Sequence, residues 1–510
     1  MRVLILALLA LAWPISAQAK WREASSRHFV IYSEQNEREL RTFAEQLERF
    51  DRALRLQLRR EDPERSPATR LTIFVLPNQD RLQSFLGMNN VGGIYFPRAG
   101  GSIAFTHSER SRDGGRLDPR VVLFHEYTHH FLANSFEFGA PLWFSEGYPE
   151  FWSTTDFERD GTVKFGLAAG HRSAELTMLS RIPVARLLNL RLPISDGQTV
   201  SAIYGRGWVL SHYLSFEQSR AGQLDAYLRA LAEGRSPEQA AQAFGDLAQL
   251  DRELERYMFG NRFRYGSFTA DQVPAGPIQI RDLRPGEEAI MNVRMRSQRG
   301  VNDRTARELV PQAREIAARF PADPAVQRAL AEAEFDAGNL AEAEAAADRA
   351  IAADPNMVEA HLYKARAMTA RLKASDSDDQ EEGWRAVRNV IARANQIDPD
   401  DPEPMIAFFE SYVDAGQSPT NNALEGLLYA QSLAREDRGL RIGAARQLLS
   451  RRAAAPARRL LAPLAGDSHS GSLGNRIGEV LALIDSGDTA AALTGLDAAL
   501  RASDRERESD

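Results

Sequence analysis

The five residues His125-Glu126-Tyr127-Thr128-His129 contain the side chains of a metal-dependent hydrolase. On a helix, residues four positions apart lie one turn apart on the same face, so both histidines can direct an imidazole at one metal ion. Zinc is the metal that this spacing favours. Glu126 lies beside the histidines and can take a proton from the attacking water and pass it to the leaving group. The stretch therefore predicts a catalytic Zn2+ site.

A catalytic zinc site needs a third protein ligand and one open position. The next acids along the chain are Glu137, Glu146 and Glu150. Glu137 follows His129 by only eight residues and is poorly placed to fold back. Glu146 opens a second segment after the Gly-Ala-Pro break at residues 139–141, which would end the first helix. Two antiparallel helices would bring Glu146 against the histidines, so it is the expected third ligand.

Together these segments resemble the gluzincin metallopeptidases of the peptidase MA clan. Their H-E-x-x-H motif is followed by W-x-x-E-G-x-x-E, whose positions are occupied here by Trp143, Glu146, Gly147 and Glu150. The resemblance implies a zincin-like lobe in which His125, His129 and Glu146 hold the zinc ion. It also implies Glu126 as the residue that activates water.

A third segment is similar to the same family. Residues 203–208, Ile-Tyr-Gly-Arg-Gly-Trp, resemble its Y-x-K-G segment, which implies that Tyr204 donates a hydrogen bond to the oxyanion. The G-x-M-E-N segment of the aminopeptidase branch is missing before the histidines. In its place, residues 100–105 form a strand-like run that could pair with an extended peptide as an edge strand. The sequence therefore favours an endopeptidase.

Several neighbouring side chains have a simpler structural interpretation. Glu150 is expected to orient a ligating histidine or to lie on the helix surface, not to bind the metal. Pro149 leaves the helical register of Glu150 open, because proline lacks a backbone N–H. His130 and His212 are interpreted as packed histidines. Tyr204 has the alternative role of a core tyrosine whose hydroxyl needs one partner.

Length, charge and the first residues limit the class of protein. The chain has 510 residues, 43% of them hydrophobic, which is enough for several domains with their own cores. Its net charge of −7 argues against general nucleic-acid binding. Residues 1–19 read as a secretory signal peptide, with a short apolar stretch and an A-x-A cleavage site. No cysteine follows, and no later stretch reaches membrane-spanning length. A periplasmic or secreted protein is expected.

The elements around the metal motif predict an α+β lobe over residues 20–265. Apolar runs predict strands at residues 27–32, 71–76, 94–96 and 102–106. Apolar residues at helical spacing predict an amphipathic helix over residues 36–58. Strands that precede a helix bearing the metal motif are the order that a zincin-like lobe requires. After Glu150 the chain is expected to be mostly helical.

The second half of the chain predicts a different architecture. Residues 266–302 contain three prolines around a short apolar strand and predict a linker with short β segments. Residues 324–355 match a tetratricopeptide (TPR) unit. We therefore expect an all-α TPR-like solenoid over residues 303–502 and a disordered tail over residues 503–510. The acidic loop at residues 375–382 is interpreted as a solvated turn.

Seven arginines and no acid lie between Asp437 and Asp467, within residues 438–459. They predict either a solvated outer face or a docking patch for an acidic partner.

Two functions from different classes fit these features. The first is a zinc-dependent endopeptidase acting outside the cytoplasm, whose helical repeats bind a protein partner or the peptide substrate. The second is a non-catalytic TPR scaffold with a vestigial zincin lobe. A metal-dependent hydrolase of non-peptide amides is a third, weaker option.

Overall fold

The computed structural model of the protein describes residues 20–64, 66–109, 117–172, 182–190, 194, 197–260, 263–375, 380–465, 467 and 471–509. The predicted signal peptide at residues 1–19 and half of the predicted acidic turn, residues 376–379, lie outside these ranges. Within them, no helix combines the length and apolar character needed to cross a membrane.

The first half of the chain alternates strands and helices. Its elements are β1 (Arg22–Ser25), β2 (Phe29–Ser33), α1 (Glu37–Leu58), β3 (Leu71–Leu76), α2 (Gln79–Leu86), β4 (Gly93–Phe96), β5 (Ile103–His107), α3 (Pro119–Ser135), α4 (Leu142–Ser153), β6 (Asp156–Phe157), β7 (Val163–Phe165), α5 (Val184–Leu187), α6 (Gly197–Phe216), α7 (Gln223–Ala232), α8 (Pro237–Ala240), α9 (Leu247–Phe259), β8 (Gly266–Phe268) and β9 (Gln279–Asp282). The predicted strands and the helix over residues 36–58 are confirmed.

A six-stranded sheet with the order β4-β5-β3-β2-β1-β9 forms the centre of this lobe. Strands β2, β3 and β5 are parallel, and the other pairings are antiparallel. Strand β3 is a continuous apolar run, as expected of a strand that is covered on both faces. Ile73 and Val75 belong to the core that also contains α1 and α3, whereas Phe74 and Leu76 belong to a second core with Leu82 of α2.

The edge strand differs from the one that the sequence predicted. Residues 103–107 form β5, which lies between β3 and β4, so the edge strand near the metal motif is β4. The prediction for residues 100–105 is wrong because apolar character identifies a strand without identifying its neighbours in the sheet.

Residues 266–302 do not form a separate linker. Strand β8 completes a small sheet with β6 and β7, and β9 pairs with β1 at the far edge of the main sheet. Helix α10 (Pro285–Arg299) then packs on two cores. Its Met291 and Met295 join the core beneath the main sheet, and Ile290 and Val293 join the core of the first repeats. This segment therefore connects the two halves by packing.

The remainder of the described chain is helical. Its helices are α11 (Asp303–Arg319), α12 (Pro324–Asp336), α13 (Leu340–Ala353), α14 (Val358–Lys373), α15 (Glu381–Ile397), α16 (Pro402–Asp414), α17 (Asn421–Leu433), α18 (Arg438–Ser450), α19 (Ala454–Ala465), α20 (Gly471–Asp485) and α21 (Thr489–Ser509). Helices α12 and α13 are the predicted tetratricopeptide unit. The tail predicted to be disordered is helical to Ser509, because its arginine and glutamate residues favour continuation of α21.

Candidate metal centre

Three side chains from two helices converge on one point. The Nε2 atoms of His125 and His129 are 3.1 Å apart. One carboxylate oxygen of Glu146, Oε2, lies 3.4 Å from Nε2 of His125 and 3.6 Å from Nε2 of His129. Within the described residues, this trio is the group of potential metal ligands whose donor atoms all lie within 4.8 Å of one another. The structure therefore brings the three predicted ligands together.

The spacing of these donor atoms fits a zinc ion. Zinc binds histidine nitrogen and carboxylate oxygen at about 2.0–2.1 Å, so tetrahedral coordination separates neighbouring ligand atoms by roughly 3.3–3.4 Å. The three measured separations bracket that value. Two neutral imidazoles and one carboxylate are also a typical donor set of catalytic zinc sites, which keep a fourth position open.

The helical hairpin that carries the ligands forms for local reasons. Asp118 caps the start of α3 by accepting a hydrogen bond from the backbone N–H of Arg120, and the helix ends at Ser135. Helix α4 begins at Leu142, so Pro149 lies inside the helix and, having no backbone N–H, leaves the carbonyl of Ser145 without its helical bond, yet the helix continues to Ser153. Glu146 and Glu150 therefore share one face of α4, and both are 1% exposed.

Two glycines allow α4 and α6 to pack backbone against backbone. A Cβ atom added to Gly147 would lie 2.2 Å from the carbonyl carbon of Gly207. A Cβ atom added to Gly207 would lie 2.6 Å from the carbonyl oxygen of Trp143. Glu146 precedes the first glycine and Tyr204 lies almost one turn before the second, so this contact sets the distance between them.

Tyr204 lies next to the ligand trio, where the sequence predicted an oxyanion donor. Its ring centroid is 6.0 Å from that of His125, and the guanidinium of Arg172 lies 4.7 Å from the centroid of the tyrosine ring. Burial raises the pKa of the Tyr204 hydroxyl, and the neighbouring Glu146 carboxylate raises the pKa further. The hydroxyl consequently keeps its proton and is a hydrogen-bond donor at neutral pH.

Glu150 contacts the candidate ligand His125 on the side that faces away from the trio. Its Oε2 lies 3.1 Å from Nδ1 of His125, the ring nitrogen that faces away from the trio. Its other contacts are with His171 and with Arg172, whose Nε donates at 3.0 Å. Burial alone would raise the pKa of Glu150, but the hydrogen bonds from these three residues outweigh it and lower the pKa. A carboxylate in this position would fix the orientation of a ligating imidazole, which is the role that the sequence predicts for Glu150.

His171 and Arg172 were not identified by sequence reasoning. They lie 21 and 22 residues after Glu150, in a short turn that carries no motif. Only the path of the chain after α4 brings them to the site.

Helix α3 is held from its other side by a buried charge cluster. The Tyr127 hydroxyl donates to Asp51 at 2.7 Å, and Arg55 donates to the same carboxylate at 2.5 Å. His28 contacts Glu48 at 2.7 Å and Asp62 at 3.0 Å. The Tyr127 bond attaches α3 to α1, and the His28 contacts attach α1 to the residue before β2, away from the face that carries the candidate ligands.

The charged form of His28 is expected to stabilise this lobe in a pH-dependent way. Burial alone would lower the pKa of His28, but Asp51, Asp62 and Glu48 outweigh it and raise the pKa from 6.5 to about 9. The folded state binds this proton more tightly, so the stabilisation is complete below pH 6.5 and is lost as the pH rises through 9. A shift of this size corresponds to about 3 kcal/mol.

Urea unfolding of the lobe, measured between pH 6 and pH 10, checks this prediction. The wild type is expected to lose stability across this interval more steeply than a His28→Gln variant, which lacks the titrating group. Parallel pH profiles for the two proteins would contradict it.

Three other predictions about single residues are resolved by their contacts. His130 is bonded through Nδ1 to the Tyr95 hydroxyl at 2.7 Å, and His212 is bonded to Tyr257 and to the carbonyl of Gly166. Both are packed histidines, as predicted. Glu137 lies beyond the end of α3, where Arg435 of the helical repeats pairs with it at 2.9 Å.

The arginine-rich segment is largely engaged in contacts within the chain. Arg438, Arg446 and Arg458 pair with Asp467, Asp497 and Asp485, respectively. Arg441 is 3% exposed and donates to backbone carbonyls. Pairing with acids that lie outside the segment explains why the sequence showed seven arginines without a compensating charge.

Comparison with known proteins identifies the repeat part of the chain. Residues 324–367 match the family model of the tetratricopeptide repeat. Among solved structures, the chain is similar to TTC0263, a thermophilic TPR protein of Thermus thermophilus, with 15% identity, 38% of this chain and 93% of that chain covered, and a TM-score of 0.29. It is also similar to the MamA RS-1 ArsTM double mutant, with 14% identity, 43% and 98% coverage, and a TM-score of 0.26.

No curated protein matches the chain. The family match to residues 324–367 confirms the predicted tetratricopeptide unit. Repeats of this kind typically mediate contacts between proteins.

Proposed function

We propose that this protein is a zinc-dependent peptide-bond hydrolase, an endopeptidase that acts outside the cytoplasm. The observation that carries the proposal is the convergence of two imidazoles and one carboxylate at zinc-like separations, with Glu126 on the same helix. A zinc ion held there would act as a Lewis acid that polarises the scissile carbonyl and makes water more acidic.

The residues of the chain have separate tasks in this proposal. His125, His129 and Glu146 hold the ion, and Glu150 fixes the ring of His125. Glu126 is half-buried and lines a cavity together with His129, so its carboxylate can reach a bound peptide. It takes the proton of the attacking water and transfers it to the leaving amine.

Tyr204 supports the same step from helix α6, where its ring lies beside that of His125. Its protonated hydroxyl would donate a hydrogen bond to the carbonyl oxygen as negative charge develops there.

The edge strand β4 provides a way to hold the peptide backbone. It is a terminal strand of the six-stranded sheet among the described residues, and its Tyr95 lines the same cavity as Glu126. An extended peptide that pairs with such an edge presents a backbone carbonyl to the site without requiring a free amine. This arrangement supports cleavage within a chain over removal of terminal residues.

Zinc content tests the centre of the proposal. The purified wild type is expected to contain one zinc ion per chain by elemental analysis, because three ligands are already assembled. His129→Ala and Glu146→Gln should each lose the ion. Glu150→Gln should retain it with a metal affinity roughly 10- to 100-fold lower, since it alters only the orientation of His125.

The pattern among these variants distinguishes the outcomes. A wild type that holds no zinc after supplementation would overturn the proposed function. Zinc retained by Glu146→Gln but lost by Glu150→Gln would transfer the role of third ligand to Glu150.

A non-catalytic scaffold is the second candidate function. The comparison that favours it is the match of the tetratricopeptide family to residues 324–367. Under this alternative, truncation of residues 303–510 removes the biological function and Glu126→Gln leaves it intact. The endopeptidase proposal requires that Glu126→Gln abolish it.

A further inference from the structure

The helical repeats contribute directly to a cavity that borders the candidate metal centre through His129. Glu126 and His129 lie on one wall, and helix α19 supplies Pro463 and Leu464 to another. The cavity has a volume of about 190 Å³. These parts are more than 300 residues apart in the sequence, so the repeats and the lobe form one site.

A turn of the repeats is anchored to the lobe by carboxylates. Glu436 is 7% exposed and accepts a hydrogen bond from Ser102 at 3.1 Å. Asp437 caps the first turn of α18 and also accepts from the backbone N–H of Ala99 at 2.9 Å. Ser102 in turn accepts a hydrogen bond from Tyr95 of the edge strand. The repeats are therefore fixed beside β4.

The charges around the cavity balance one another. Its lining includes three arginines, Arg435, Arg438 and Arg441, and three carboxylates, Glu126, Glu436 and Asp467. Arg435 pairs with Glu137 and Arg438 pairs with Asp467, while Arg441 donates to the carbonyls of Ala133 and Arg435. The guanidiniums of Arg435 and Arg438 are thus already paired with carboxylates, so an anionic guest would have to compete with existing ion pairs.

Most of the remaining lining residues are apolar, and some of them are small. Ala133 lies one turn after His129 on α3, and Phe138 and Ala140 follow in the connection to α4. An engineered apolar cavity of about 150 Å³ accepts a benzene molecule. The space beside the metal centre is thus suited to one large apolar side chain.

We propose that the helical repeats form a wall of the substrate cleft, and that the pocket between α3 and α19 selects peptides with a large apolar side chain next to the cleaved bond. This inference rests on the proposed peptidase function and assigns specificity to Ala133 and Pro463. The repeats would then be part of the enzyme's specificity and not only an arm that recruits partners.

Filling the pocket from either side tests this proposal. Ala133→Leu adds bulk from the catalytic helix, and Pro463→Phe adds bulk from the repeats. Both residues are only partly buried, which lowers the risk of misfolding. The matched controls are Ala318→Leu and Pro311→Phe, the same changes at two exposed positions of α11.

Cleavage of a short peptide library with one variable position provides the readout. The wild type and the controls should prefer phenylalanine or leucine over alanine beside the cleaved bond. Each pocket variant should reduce that ratio of kcat/KM by about tenfold or more, because apolar pockets discriminate by volume. Unchanged ratios in both pocket variants would overturn the proposal. A change with Ala133→Leu alone would overturn the role of the repeats.

Peptide binding separates this inference from the proposed function. Affinity is measured by fluorescence anisotropy in zinc-supplemented Glu126→Gln, with and without Ala133→Leu, using phenylalanine- and alanine-containing peptides. A phenylalanine preference that Ala133→Leu removes would support the pocket even if the wild type cleaved nothing. If Glu126→Gln without Ala133→Leu bound the two peptides with equal affinity, the proposed pocket specificity would be wrong. The proposed hydrolysis would still be tested separately, by the cleavage assay.

Discussion

Glu126→Gln is expected to lower kcat for peptide hydrolysis by about 10²- to 10⁴-fold while the zinc content stays that of the wild type. The amide keeps the shape of the side chain but cannot accept the proton of the attacking water. The proposed zinc ligands His125 and His129 are unchanged. The measurements are steady-state cleavage of a peptide library and elemental analysis of the same preparation.

An exposed glutamate on α1 provides the control. Glu39→Gln makes the same chemical change far from the cleft and should leave both kcat and zinc content unaltered. If Glu126→Gln cleaved peptides as fast as the wild type, Glu126 would not be the base in the proposed hydrolysis.

Gly147→Ala is expected to have the second largest effect, on stability and activity together. Its new Cβ would lie 2.2 Å from the backbone of Gly207, a distance that real side chains do not reach, so α4 and α6 must separate. Glu146 and Tyr204 lie on these two helices and would move apart with them. A displacement of about 1 Å costs roughly 100-fold in rate, and overpacking costs about 1–3 kcal/mol of stability.

The melting temperature, the zinc content and kcat of the variant check this expectation. Gly207→Ala should behave similarly, because its Cβ would lie 2.6 Å from the carbonyl oxygen of Trp143. Gly443→Ala is the matched control, since that helical glycine has open space around its Cβ position and alanine favours the helix. A Gly147→Ala protein with wild-type melting temperature and kcat would show that the helices tolerate separation.

The sequence by itself determined the features that depend on local order. The four-residue spacing of His125 and His129 defines one helix face whatever the rest of the chain does. The break at residues 139–141 forces a hairpin, and a short hairpin leaves Glu146 few places other than against the histidines. The apolar run of β3 and the alanine-rich repeat at residues 324–355 are likewise patterns of period and composition.

The tertiary structure alone decided which distant segments meet at the cleft. The pairing of β4 with β5, the turn that brings His171 and Arg172 to Glu150, and the approach of Pro463 and Leu464 to Glu126 have no sequence signature. Such contacts depend on the relative positions of several packed elements that are separated by hundreds of residues in the sequence. For the same reason, the sequence predicted that α10 belongs to a linker, although the apolar residues of α10 pack into two separate hydrophobic cores. Local periodicity in the sequence therefore identified the candidate ligands. Only long-range packing determined which residues line the cavity beside them.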